Sequence, residues 1–185
     1  LGVLGDGVPS GVVDIATGES VYLFLESGSV VGRVGSGGVA DAGGAVAFNI
    51  HVNATSGAVT LDQVRALEHP NSAQPNELIN LTTNAVSLTA TVTDRDGDTA
   101  SASISLGDKV GFRDDAPTIV TTGAVINVEV DETTLLTNQT ENFSTAFNIN
   151  YRADGAGTTV YSLTASSVGA VSGVIDVATG QAVYL

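Results

Sequence analysis

Hydrophobic residues alternate with polar or small ones along most of the chain. Alternating runs recur at residues 20–25 (SVYLFL), 45–52 (AVAFNIHV), 86–92 (VSLTATV) and 99–106 (TASASISL). Four more follow at 124–130 (AVINVEV), 146–151 (AFNINY), 158–163 (TTVYSL) and 172–177 (SGVIDV). A period of two puts one set of side chains on each face of a strand. Bounded by Gly, Asp and Asn at short spacing, these runs predict an all-β chain of the sandwich type. One stretch breaks the period. In TLDQVRALEHP, Thr60 stands as an N-cap with Gln63 at the capping-box position. Leu61, Val64 and Leu67 share a helical face and Pro70 stops the run, which predicts one short helix at 61–68. The NSAQPNE that follows reads as a loop.

An internal repeat adds organisation to this pattern. Residues 10–23 read SGVVDIATGESVYL and residues 172–185 read SGVIDVATGQAVYL, with ten of fourteen positions identical. The ATG in each copy reads as a hairpin turn between strands. Self-similarity at a long fixed offset is the mark of a tandem array. The expectation is therefore a piece of a longer modular protein, in keeping with a chain that starts at Leu1.

Charge changes the picture most between residues 94 and 132. This stretch holds Asp94, Asp96, Asp98, Asp108, Asp114, Asp115, Glu129, Asp131 and Glu132, nine of the chain's 20 carboxylates. Only Arg95, Lys109 and Arg113 oppose them there. Carboxylates at that density repel one another unless a cation sits among them, and hard oxygen ligands favour Ca²⁺, which takes 6–8 of them. DRDGD at 94–98 lies between two strand runs, so Asp94, Asp96 and Asp98 converge at a hairpin tip, with Gly97 easing the turn. An EF-hand would need Gly and Glu where Thr99 and Ser105 stand, so the motif is a compact acidic turn instead. FRDDAPT at 112–118 joins two strand runs, with Asp114 and Asp115 ahead of a stiffening Pro117, as in the calcium linkers between cadherin repeats. VEVDET at 128–133 places Glu129 and Asp131 on one side of a strand end and Glu132 on the other. ADGAGT at 153–158 offers Asp154. About seven residues of return strand, on the order of 23 Å, separate the DRDGD tip from the DDAP joint. The two are therefore expected at opposite ends of one sandwich, each with its own ion.

Composition narrows the function classes. The formal charge is −14, with six Lys and Arg, which argues against nucleic acid and against an anionic membrane surface. There is no Cys, Met or Trp, so neither disulfides nor thiolate metal sites can staple the chain. No run of 18 apolar residues occurs, which argues against direct membrane insertion. His51 and His69 stand apart and do not suggest a histidine metal site. GRVGSGG at 32–38 lacks the Lys and helix of a phosphate loop. The sequons at Asn53, Asn80, Asn138 and Asn142 are no more than a chain this rich in Asn, Ser and Thr produces by chance. No Ser-His-Asp spacing or acid–base pair points to catalysis, so the expectation is a non-enzymatic protein.

Several segments in order carry a family resemblance. They are TLDQVRALEHP (60–70), TATVTDRDGDTASASISLG (89–107), FRDDAPTI (112–119), VDETTL (130–135), YRADGAGTTVYSL (151–163) and SGVIDVATG (172–180). With them the whole chain resembles the tandem extender repeats of giant RTX adhesins, exported by type I secretion from Gram-negative bacteria. The resemblance implies immunoglobulin-like or cadherin-like β-sandwich lobes. It implies a calcium-stiffened spacer on the extracellular cell surface, projecting a ligand-binding tip for adhesion and biofilm formation. Its partners would be adjacent repeats of the same chain, with head-to-tail contact between neighbouring molecules. In family order, residues 1–116 are the back part of one repeat and residues 117–185 the front part of the next. The glycine-rich nonapeptide of RTX β-rolls is absent, and Arg152 stands where the family pattern has Gly. The alternative is a carbohydrate- or surface-binding β-sandwich; four Tyr, five Phe and no Trp give it little aromatic surface to work with.

Overall fold

The computed structural model describes residues 2–3 and 7–185. The chain is all-β, and it divides into a unit ending at Gly155 and a second unit, Ala156–Leu185. In the first unit the strands are β1 (Gly2–Val3), β2 (Val8–Val13), β3 (Ser20–Glu26), β4 (Ser29–Val34), β5 (Val46–Val52) and β6 (Val59–Gln63). They are followed by β7 (Leu78–Asn80), β8 (Val86–Thr93), β9 (Thr99–Ser105), β10 (Gly111–Arg113), β11 (Thr118–Thr121) and β12 (Phe147–Asn150). The second unit holds β13 (Val171–Ile175) and β14 (Ala182–Tyr184).

Strands β2 to β6 form an antiparallel meander in sequence order. Its inward side chains include Val12, Val21, Leu23, Val30, Phe48 and Ile50. They pack against Leu81, Ala85, Val86, Leu106, Val110 and Phe112 from the β7–β10 pair and the foot of the β8–β9 hairpin. Phe48 and Phe112 meet across this layer with ring centroids 5.0 Å apart at a 49° tilt, a geometry aromatic pairs favour. Phe48 lies opposite Gly32, where a Cβ would come within 2.5 Å of its ring. Glycine there is what lets the aromatic lie flat across β4.

The helix expected at 61–68 does not form. Residues 59–63 are β6, paired with β5 from Phe48↔Gln63 to Val52↔Val59. The N–H groups of Val64 and Arg65 then donate to the Ala47 carbonyl, at 2.8 and 3.1 Å. The segment also reads with period two, and that reading puts Leu61 against the core while Val64 stays exposed. The open edge of β5 supplies backbone hydrogen bonds that an isolated two-turn helix cannot match. Among the described residues the helical turns are short 3₁₀ segments such as Gly107–Lys109 and Arg152–Asp154.

The strands expected at 124–130 and 158–163 also do not form. Val125, Val130, Val160 and Leu163 are exposed there. An alternating run becomes a strand only when it pairs with a neighbouring edge, and neither run is a strand of any sheet. Elsewhere the expected strands form, including both sides of the DRDGD hairpin, paired from Ser87↔Ser105 to Thr93↔Thr99. The joint at 116–117 falls between β10 and β11, and β11 pairs antiparallel with β12.

Candidate metal centre

Two groups of three carboxylates converge in the first unit. At the tip of the β8–β9 hairpin, Asp94, Asp96 and Asp98 each bring one oxygen within 4.8 Å of the others. The turn closes with the Asp94 N–H donating to the Asp98 carbonyl at 2.9 Å. Asp94 Oδ1 accepts the N–H groups of Gly97 and Asp98, at 3.1 and 2.9 Å. A side-chain hydrogen bond with Asp96, and then these backbone donors, hold the Asp94 carboxyl below the usual range. Asp94 thus has a structural role in the loop without any ion. All three residues are exposed.

The second group is Asp114, Asp115 and Asp154, whose carboxylate oxygens likewise lie within 4.8 Å of one another. Asp114 is fixed just past β10, its N–H donating to the Glu77 carbonyl at 2.8 Å. Asp154 comes from much further along the chain, in the 3₁₀ turn after β12, and the turn is tied back by the Ala153 N–H donating to Asp115 Oδ2 at 3.4 Å. Entry into that turn needs a left-handed residue. Arg152 adopts it at φ +62°, with its N–H held by Asn150 Oδ1 at 2.9 Å. A glycine there would take this conformation without strain, yet Arg152 takes it too and Asp154 still reaches its partners. Partial burial raises the Asp154 pKa, and the Asp115 and Asp114 carboxylates raise it further. Two like charges at close range are what a bound cation would relieve.

This second group rims an open cavity of about 300 Å³, which Arg65, His69 and Arg113 also line. Arg65 is already committed to Asp14. The buried Nδ1 of His69 has no hydrogen-bond partner. The sequence showed His69 only as a residue before Pro70; its place beside the DDAP joint depends on the path of the chain after β6.

Residues 1–107 and 127–185 match the family described as a domain of unknown function, DUF5801. The chain belongs to that family. No curated protein and no solved structure matches it. In this DUF5801 chain each matched stretch carries one copy of the fourteen-residue repeat, and Asp114 and Asp115 lie in the interval between the stretches.

The remaining acidic candidates join neither group. Asp131 Oδ1 accepts the Thr133 N–H at 2.8 Å and caps the turn Glu132–Thr134, and Thr133 holds its carboxyl below the usual range. Glu129 and Glu132 are exposed and, among the described residues, form no three-ligand cluster. With no strand at 124–130 to set their alternation, nothing brings these three carboxylates to one point.

A different acid is the most structurally committed one, and the sequence did not single it out. The Asp14 side chain is fully buried at the end of β2 and takes a two-pronged ion pair from Arg65, at 2.8 and 2.9 Å. Thr17 Oγ1 donates to it at 2.7 Å. The Arg65 hydrogen bonds are the main cause of its lowered pKa. This pair ties the β2–β3 turn to the segment after β6. Among the described residues no helix is long and apolar enough to cross a membrane.

Proposed function

We propose that this DUF5801 chain is a non-enzymatic extender module of a calcium-dependent cell-surface adhesin, a spacer stiffened by Ca²⁺ that holds a binding tip away from the cell. The observation that carries this reading is the Asp114, Asp115 and Asp154 group. It clamps the joint between β10 and β11 to the turn after β12, so an ion there restrains the chain where it would otherwise bend. Three carboxylates with a raised pKa among them form a hard, anionic donor set, which suits Ca²⁺; backbone carbonyls and water would complete its 6–8 oxygens. The hairpin tip at Asp94, Asp96 and Asp98 offers a second set of the same chemistry. The internal repeat supports a tandem arrangement, with adjacent repeats as the natural neighbours of each joint. The resemblance to the extender repeats of type I-secreted RTX adhesins supports an extracellular setting on a Gram-negative cell and a part in biofilm formation.

The deciding experiment is calcium titration by calorimetry on the chain stripped of metal, alongside thermal melting. Binding at two classes of site and a melting temperature raised by calcium support the reading. No heat of binding and identical melts with calcium or EDTA sink it.

A further inference from the structure

Aspartate is followed by glycine at residues 6–7, 96–97 and 154–155. Asp6 lies outside the described residues. The other two pairs each hold a member of a carboxylate group, Asp96 at the hairpin tip and Asp154 at the joint. An aspartate before a glycine carries a reactivity of its own. The glycine has no Cβ to shield its nitrogen or to restrict the backbone as it turns. That nitrogen is free to attack the carboxyl carbon of the aspartate before it.

The atoms balance without any cofactor. A bond forms between the glycine nitrogen and the aspartate Cγ. The nitrogen gives up its proton and a carboxyl oxygen leaves as water, which closes a succinimide ring. Solvent water then opens the ring at either carbonyl. Opening on the Cγ side restores aspartate. Opening on the main-chain side leaves the glycine attached through Cβ and Cγ, which is isoaspartate. Its mass is unchanged, but the main chain gains a methylene and the carboxylate now sits directly on Cα.

The fold treats the two pairs differently. At the tip the Gly97 N–H donates to both the carbonyl and Oδ1 of Asp94, at 3.3 and 3.1 Å. The Asp98 N–H donates to the same Oδ1 at 2.9 Å, and the Asp94 N–H to the Asp98 carbonyl at 2.9 Å. The attacking nitrogen is therefore engaged, and the turn is closed on both sides of it. Gly97 has to leave both acceptors to reach Asp96, and a reaction that needs a local opening is slowed by the cost of that opening. At the joint the side-chain clamps stop short of the pair. Asn150 Oδ1 holds the Arg152 N–H and Asp115 Oδ2 holds the Ala153 N–H. Among the described residues no carboxylate holds the Gly155 N–H as Asp94 holds that of Gly97.

We infer that Asp154–Gly155 is a site of spontaneous isoaspartate formation, and that Asp94 shields Asp96–Gly97 from the same reaction. The change at Asp154 alters the joint, because the added methylene lengthens the turn that brings this carboxylate to Asp114 and Asp115. On the proposed calcium reading it takes a ligand from that site. The reaction itself needs no metal.

The test is to age the full chain at neutral pH in EDTA, in water enriched in heavy oxygen, and to map its peptides by chromatography and mass spectrometry. Trypsin cuts at Arg95, Lys109 and Arg152, so Asp96 and Asp154 fall in separate peptides. Isoaspartyl peptides separate from their aspartyl forms and carry a heavy oxygen from ring opening. The expected result is isoaspartate that builds up several-fold faster at Asp154 than at Asp96. In denaturant, where neither pair is held, the two rates should come together. Asp94→Ala removes the Oδ1 acceptor and should speed the reaction at Asp96 several-fold, with the rate at Asp154 unchanged. Asp94→Asn keeps an oxygen acceptor at that place and should leave Asp96 slow. Equal rates in the folded chain, a faster rate at Asp96, or a difference that persists in denaturant overturns the inference. So does an Asp154 that stays intact while the denatured chain converts, or an Asp96 as slow in Asp94→Ala as in the parent chain.

Discussion

Asp14 and Asp176 occupy the same place in the repeat and each accepts the hydroxyl of the threonine three residues on, but only Asp14 is buried against an arginine. Substituting Asp14→Asn strands Arg65, which is 30% exposed. Removing one partner of a buried ion pair is strongly destabilising; allowing for that exposure, the expected loss is roughly 2–3 kcal/mol in denaturant unfolding. Asp176→Asn should change stability by no more than about 0.5 kcal/mol, as surface substitutions do. The lowered pKa of Asp14 sets the pH dependence. Its stabilisation is complete above the ordinary carboxyl value of 3.8 and is lost as pH falls through the lower folded value. Melting curves between neutral and acid pH should therefore fall less steeply in Asp14→Asn than in the parent chain. A carboxylate in DIATG gives no sign in sequence that it will be buried, because its partner lies 51 residues away.

At the scale of the element, the hairpin tip and the joint share no residue, so on the proposed reading they bind calcium separately. Asp96→Ala should remove one class of calcium binding in calorimetry and leave the other intact. Asp154→Ala should do the converse. Acidification should weaken the joint, because Asp154 titrates above the ordinary carboxyl range. Calcium affinity measured on Asp96→Ala, which leaves only the joint, should fall as the pH drops through that raised value; an affinity indifferent to acidification would contradict this assignment. The tip was legible in the sequence because hairpin, turn and carboxylates are all local. The pair at Asp114 and Asp115 was legible too, but the approach of Asp154 depends on the β11–β12 pairing and on a left-handed Arg152. VEVDET misled because its alternation implies a strand, and no edge is there to receive one.

For the whole molecule, calcium that binds only the folded chain adds stability by mass action, about 2.7 kcal/mol at a hundred times its dissociation constant. Excess EDTA should lower the melting temperature, and a calcium series should shift it progressively. On the proposed calcium reading this dependence comes from the two converging groups, since carboxylates held together by the fold repel until a cation arrives.

Local sequence determined the backbone of each hairpin. The fourteen-residue repeat takes the same register, the same positive φ at its glycines and the same Asp–Thr hydrogen bond in both places, because these depend on contacts only a few residues long. Alternation likewise announced an all-β chain, and DRDGD announced its own turn. Tertiary structure alone decided that the first copy of the hairpin is buried, that residues 59–63 pair as a strand against β5, and that Asp154 and His69 reach the cavity at the joint. Each of these requires a surface or an open edge supplied by residues far away in the chain. Burial and long-range pairing belong to that partner as much as to the segment, so the segment's own sequence does not contain them.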